Sequence, residues 1–200
     1  MIRLLAVLLL GLGLLVPTGG AFAESRDTAP FGLTWGMSDR DFYGLGLRTV
    51  AVETPTQRMT RIYFAPAGGM PDDTIAVSVG IDVEYGLQAV WWRGHPIEDD
   101  PYGDDGRAAY RTMKNALATR YGDPRDESTF SGRFVFTDPA EFFQCLSYSG
   151  CGAWMAFWYP PNGGSVYLHL VGTGRGRGHV DVTYKGPKWK AAAKAQQEAE

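Results

Sequence analysis

Thr74-Ile75-Ala76-Val77-Ser78-Val79-Gly80-Ile81-Asp82-Val83 alternates without a break. Ile75, Val77, Val79, Ile81 and Val83 fall on one side of an extended chain, with Ala76, Ser78, Gly80 and Asp82 on the other. A period of two marks a strand with one face on a core. Working outward, residues 60–65 put Ile62 and Phe64 on one face, and Gly68-Gly69-Met70-Pro71-Asp72 makes a turn between the two. On the other flank Tyr85-Gly86 is a bend, and residues 87–92 form a third strand. Turns this short pair consecutive strands antiparallel.

Helices bracket this unit. Ser38 with Asp41 three residues on forms a capping box, Phe42 and Leu45 are expected to face a core, and Gly44 and Gly46 end the helix early. Tyr110, Met113, Leu117 and Tyr121 recur at helical spacing from about Asp105, and Gly122 and Pro124 stop the helix. Asp138-Pro139-Ala140-Glu141 opens another short helix.

Three more strands are predicted at residues 152–159, 165–171 and 179–184. Pro160 to Gly164 joins the first two, and Gly172 to Gly178 reads as a long hairpin turn between the last two. The expected fold is α+β, with antiparallel sheets and helices packed on one face. The element order suggests two tandem helix-plus-three-strand units, residues 24–100 and 101–187, followed by a flexible or helical tail, residues 188–200.

Residues 1–23 read as a signal peptide. Arg3 supplies the charge, Leu4 to Val16 is an apolar run too short to span a bilayer, and Ala21-Phe22-Ala23 is a small-residue cleavage site. The mature chain is therefore expected outside the cytoplasm, in a periplasm or the medium, with no transmembrane segment. A formal net charge of −3 argues against a nucleic-acid partner. The two cysteines, Cys145 and Cys151, are expected to form a disulfide in an oxidising compartment. Their spacing is not the C-x-x-C of a redox pair.

Gly36-Met37-Ser38, followed by Leu45-Gly46, resembles the helix-opening signature of small bacterial envelope proteins, among them the outer-membrane-assembly lipoproteins. The secreted β-lactamase-inhibitor proteins are similar in layout, with two helix-plus-sheet units in tandem. Asp100-Pro101-Tyr102-Gly103 and Tyr121-Gly122-Asp123-Pro124 look like segments of exported bacterial proteins of uncharacterised role. The resemblance implies a fold and a binding or assembly role, and no catalytic residue. This chain has no cysteine after the apolar run to carry a lipid, and Phe42 stands where a small aliphatic residue is common.

Chemistry-bearing clusters each admit a structural reading. Glu98, Asp99, Asp100, Asp104 and Asp105 surround Pro101-Tyr102-Gly103. They offer oxygen ligands to calcium, in a spacing unlike an EF-hand, or acids gathered ahead of a helix N-terminus. Gly172-Thr173-Gly174-Arg175-Gly176-Arg177-Gly178 resembles a phosphate-cradling loop, but a strand follows it rather than a helix. Arg175 and Arg177 remain candidates for contact with an anionic partner. His95, His169 and His179 belong to no metal or catalytic motif, and no G-x-S-x-G elbow is present.

Trp91 and Trp92 are adjacent, so a strand points them to opposite faces, while Trp154 and Trp158 share one face. These four tryptophans are the candidate interface residues. No catalytic, cofactor-binding or metal-binding residue is assigned. The expected role is a non-enzymatic module that binds a protein partner or serves envelope assembly. The alternative is a small secreted hydrolase whose site gathers scattered residues such as His169 and the acids near Asp104.

Overall fold

A computed structural model describes residues 28–199. The expected signal peptide, residues 1–23, lies outside the described residues. Eight strands form one antiparallel sheet: β1 (Thr49–Glu53), β2 (Met59–Phe64), β3 (Thr74–Asp82), β4 (Gly86–Gly94), β5 (Asp126–Phe130), β6 (Ala153–Trp158), β7 (Ser165–Gly174) and β8 (Arg177–Lys185). Among the described residues four α-helices accompany them: α1 (Asp39–Gly44), α2 (Asp104–Tyr121), α3 (Phe142–Ser147) and α4 (Trp189–Gln197). The fold is α+β.

The strand order is β1-β2-β3-β4-β8-β7-β6-β5. Each half of the chain therefore supplies four strands, not the expected three, and the halves meet at β4 and β8. The two strands missed in sequence are the two edges. All five residues of β1 are exposed, and β5 opens Asp-Glu-Ser-Thr. An edge strand shows little of the alternation that burial imposes on an inner one.

Two rows of directly opposed residues cross the sheet and form the core. Val52, Ile62, Val79, Val90, Tyr184, Val166 and Trp158 make one. Phe64, Val77, Trp92, Val182, Leu168 and Ala156 make the other. All but Val52 are buried in a single cluster that runs through both halves. Tyr110, Met113 and Leu117 of α2 are buried in the same cluster, and Phe42 of α1 packs edge-on against Phe64 at 5.3 Å. Ala29 and Pro30, ahead of α1, are buried as well.

Local chemistry fixes the helix ends. Ser38 and Asp41 close the expected capping box. Leu45, expected in the core, is 48% exposed because α1 ends at Gly44 and the helical face stops with it. Asp100 is buried, and its carboxylate accepts from the Asp104 N–H at 2.8 Å and the Gly106 N–H at 3.0 Å. Both oxygens thus serve the first turn of α2. Among the described residues no group of three or more His, Cys, Asp or Glu side chains is placed to hold a metal ion.

The glycine-rich stretch is not a long turn. β7 and β8 run through it and leave Arg175-Gly176 as the turn. Gly172 and Gly178 are opposed, and a Cβ on either would collide with Phe143 of α3. Glycine there lets α3 sit directly on the hairpin. Cys145, in α3, and Cys151, just ahead of β6, form a disulfide. Among the described residues no helix is long and apolar enough to cross a membrane.

The tail is a helix with a place on the sheet. The Lys188 N–H donates to Gln88 Oε1 at 2.9 Å, and Lys185 Nζ lies 5.1 Å from the Trp189 ring centroid. Ala192 is fully buried, and with Met59 and Ala89 it lies outside the main core. Met59 and Ala89 have the parity of the sheet face opposite the core rows. From β8 to β2 is about 14 Å at roughly 4.8 Å per strand, and nine helical residues span about 13.5 Å. Thus α4 crosses one end of the face that α2 and α3 leave open.

Candidate binding face of the sheet

The open face is built from rows like those of the core. One runs Ala51, Tyr63, Ser78, Trp91, Thr183, Tyr167, Phe157 and Asp126, one residue from each strand. A second runs Ala76, Arg93, Asp181, His169, Met155 and Ser128. Side chains of one row point the same way, so two aromatic and charged bands lie side by side.

Trp91 is the centre of the first band. Its indole lies across Gly80, where a Cβ would sit 2.8 Å from the ring edge. The Arg61 guanidinium covers it at 4.3 Å and reaches 4.9 Å from the Tyr63 ring. Arg61 Nε donates to Ser78 Oγ at 3.1 Å. Gly80, Trp91 and Arg61 therefore form a layered stack. Beside it Tyr63, Ser78, Arg93 and Thr183 help line a cavity of about 320 Å³.

The second half of the face is more apolar. Phe157 and Tyr167 stack at 4.6 Å, and Tyr167 stacks on His169 at 5.5 Å. Asp181 lies between the halves and receives two hydrogen bonds of 2.9 Å from Arg93. His179 Nε2 stands 3.3 Å from Asp181 Oδ2, the oxygen that also accepts from Arg93 Nη2. Burial opposes ionisation of Asp181, but the nearby His179 and the two bonds from Arg93 outweigh it and hold the carboxyl below its ordinary range. Burial pushes His169 below its ordinary value, against the attraction of Asp181 and with repulsion from His179.

The predicted interface residues divide. Trp91 is half-buried on the open face, while Trp92 is 2% exposed and donates its indole N–H to Thr74 Oγ1 at 2.7 Å. Trp154 and Trp158 face the helices. Trp154 meets Tyr110 and Phe142 edge-on, and buried Trp158 donates to the Gly122 carbonyl at 2.8 Å. Packing under α2 removes both from any sheet surface. Arg175 and Arg177 are exposed at the β7–β8 turn. They lie roughly 20 Å along the strand from Thr183, the partner of Trp91.

His169 and Asp104 do not come together. His169 is on the open face, and Asp104 begins α2, paired with Arg107, which leans on Phe142. Arg61, Tyr63, Arg93, Phe157, Tyr167 and Asp181 were not anticipated as face residues. The alternation His179-Val180-Asp181-Val182-Thr183-Tyr184 already carried the signal for the last of them.

No protein-family model, no curated protein and no solved structure matches this chain.

Proposed function

We propose that this chain is an exported, non-enzymatic binding module that engages a protein partner through the open face of its sheet, with Trp91 as the central anchor. The observation that carries the reading is the face itself. Two rows of aromatic and charged side chains run across it, while α2 and α3 occupy the other side. A partly exposed band of this breadth, rich in Trp, Tyr, Phe and Arg, has the composition of interface hot spots. Export follows from the order Arg3, Leu4 to Val16 and Ala21-Phe22-Ala23, and the Cys145–Cys151 disulfide accords with an oxidising compartment.

The test is affinity capture from the native exported fraction with three baits: the wild-type protein, Trp91→Ser and Tyr102→Ser. Tyr102 is 55% exposed at the start of α2, away from the open face. A specific partner retained by the wild type and Tyr102→Ser, and lost by folded Trp91→Ser, supports the reading. A partner retained equally by all three sinks it.

A further inference from the structure

We propose that the cavity beside Trp91 is a carboxylate-recognition site that receives an Asp or Glu side chain of the protein partner on Arg61. The inference rests on the binding-face reading and adds the partner's chemistry. It starts from a mismatch between register and pairing. Glu53 stands directly opposite Arg61 across β1 and β2. Opposed residues of opposite charge ordinarily pair. Here Glu53 instead accepts from the Tyr63 hydroxyl at 3.1 Å, and Arg61 turns away over β3 to the Trp91 ring. Among the described residues no carboxylate lies within ion-pair distance of Arg61.

The guanidinium is nonetheless held in place. Two aromatic rings flank it, and its Nε is bonded to Ser78 Oγ. An arginine free to move loses side-chain entropy when it is fixed, and here that ordering precedes any ligand. The Nη groups are left to donate. Ser78 Oγ, which accepts from Arg61, also lines the cavity and fixes the guanidinium there. Two donors thus converge on one opening, which suits the planar fork of a carboxylate.

The lining settles the charge. Arg93 is neutralised by Asp181, so Arg61 leaves the cavity with one uncompensated positive charge. At about 320 Å³ the cavity has room for a carboxylate side chain. The Phe157–Tyr167 stack beside it would stay uncovered by a small anion, whereas a protein surface that delivers the acid covers both. The net negative charge of the chain gives acidic partners no general attraction, so the selection is local.

The test follows the Trp91 indole N–H and Arg61 Nε–H signals in ¹⁵N-labelled protein. The probes are N-acetyl-glutamate amide, N-acetyl-glutamine amide and inorganic phosphate, at matched ionic strength. Saturable shifts with the glutamate probe alone, weakened about tenfold or more in Arg61→Gln and several-fold in Ser78→Ala, support the site. Equal response to the glutamine probe, tighter binding of phosphate, or no loss in either variant overturns it. Ser78→Ala keeps the test open if Arg61→Gln does not fold. Capture that depends on Trp91 but is unchanged in Arg61→Gln refutes the carboxylate site and leaves the binding face standing. Capture independent of Trp91 refutes the binding face itself.

Discussion

Arg93 and Asp181 stand directly opposite each other across β4 and β8 and share two parallel hydrogen bonds of 2.9 Å. The pair spans the seam where the two halves of the chain meet. Its bidentate geometry is the strong form of an ion pair, and the partial burial of Asp181 reduces screening. Replacing Arg93 with Ala leaves Asp181 with His179 alone, and we expect a loss of about 1 kcal/mol in urea unfolding. An unchanged midpoint would show that His179 suffices.

Acid should weaken the protein in two steps of the same sign. His169 is depressed below 6.5, so below that pH the unfolded chain takes up a proton that the fold resists, and stability falls as pH drops. Asp181 is depressed below 3.8, so its contribution holds above that value and is lost as pH falls through the folded one. Melting temperatures from about pH 8 to about pH 2 should show both declines. His169→Gln should remove the upper step, and Asp181→Asn should reduce the lower, which the capping carboxylate of Asp41 shares. A step undiminished in its own variant would be assigned elsewhere.

Adjacent tryptophans should respond oppositely. Trp92→Ser empties a core site and removes the indole bond to Thr74 Oγ1, for a cost of about 3–5 kcal/mol. Trp91→Ser removes a half-buried ring and its Arg61 contact, for a cost of about 1 kcal/mol. Thermal unfolding of the two variants measures the difference, and equal destabilisation would mean that both faces are packed alike.

Gly80→Ala should displace a side chain and not the backbone. Its Cβ would meet the far edge of the Trp91 ring, which can swing outward. We expect an altered tryptophan near-UV circular dichroism band and a loss of about 1–2 kcal/mol. An unaltered band would mean that the indole does not lie across Gly80.

Reduction of the Cys145–Cys151 disulfide should lower stability by roughly 2 kcal/mol, because the ring it closes is short. Both thiols should resist alkylation until reductant is added. Labelling of native, unreduced protein would refute the bond.

The inner strands were legible in sequence because burial writes alternation into them. Residues 179–184 show it plainly; in 74–82 Val77, Val79 and Ile81 reach the core while Ile75 is exposed and Ser78 and Asp82 are buried. The Ser38 cap and the 104–121 helix were marked by residues with one obvious use. The edges were not legible. The open face was half legible: adjacency of Trp91 and Trp92 required one to face each way, but alternation alone could not say which. The layered Gly80, Trp91 and Arg61 come from three strands, so no single segment displays them. Trp154 and Trp158 misled for the same reason. Their shared face was correct, and only the position of α2 makes that face the inside.

The last strand of the chain occupies the middle of the sheet, between β4 and β7. Until Lys185 has been synthesised, the first four strands end in a bare β4 edge that carries Val90 and Trp92. Such an edge invites pairing with the wrong chain. Closure therefore waits for the C-terminus, and the seam forms late, through contacts distant in sequence. The strand that completes the sheet is thus the last of the eight to be made.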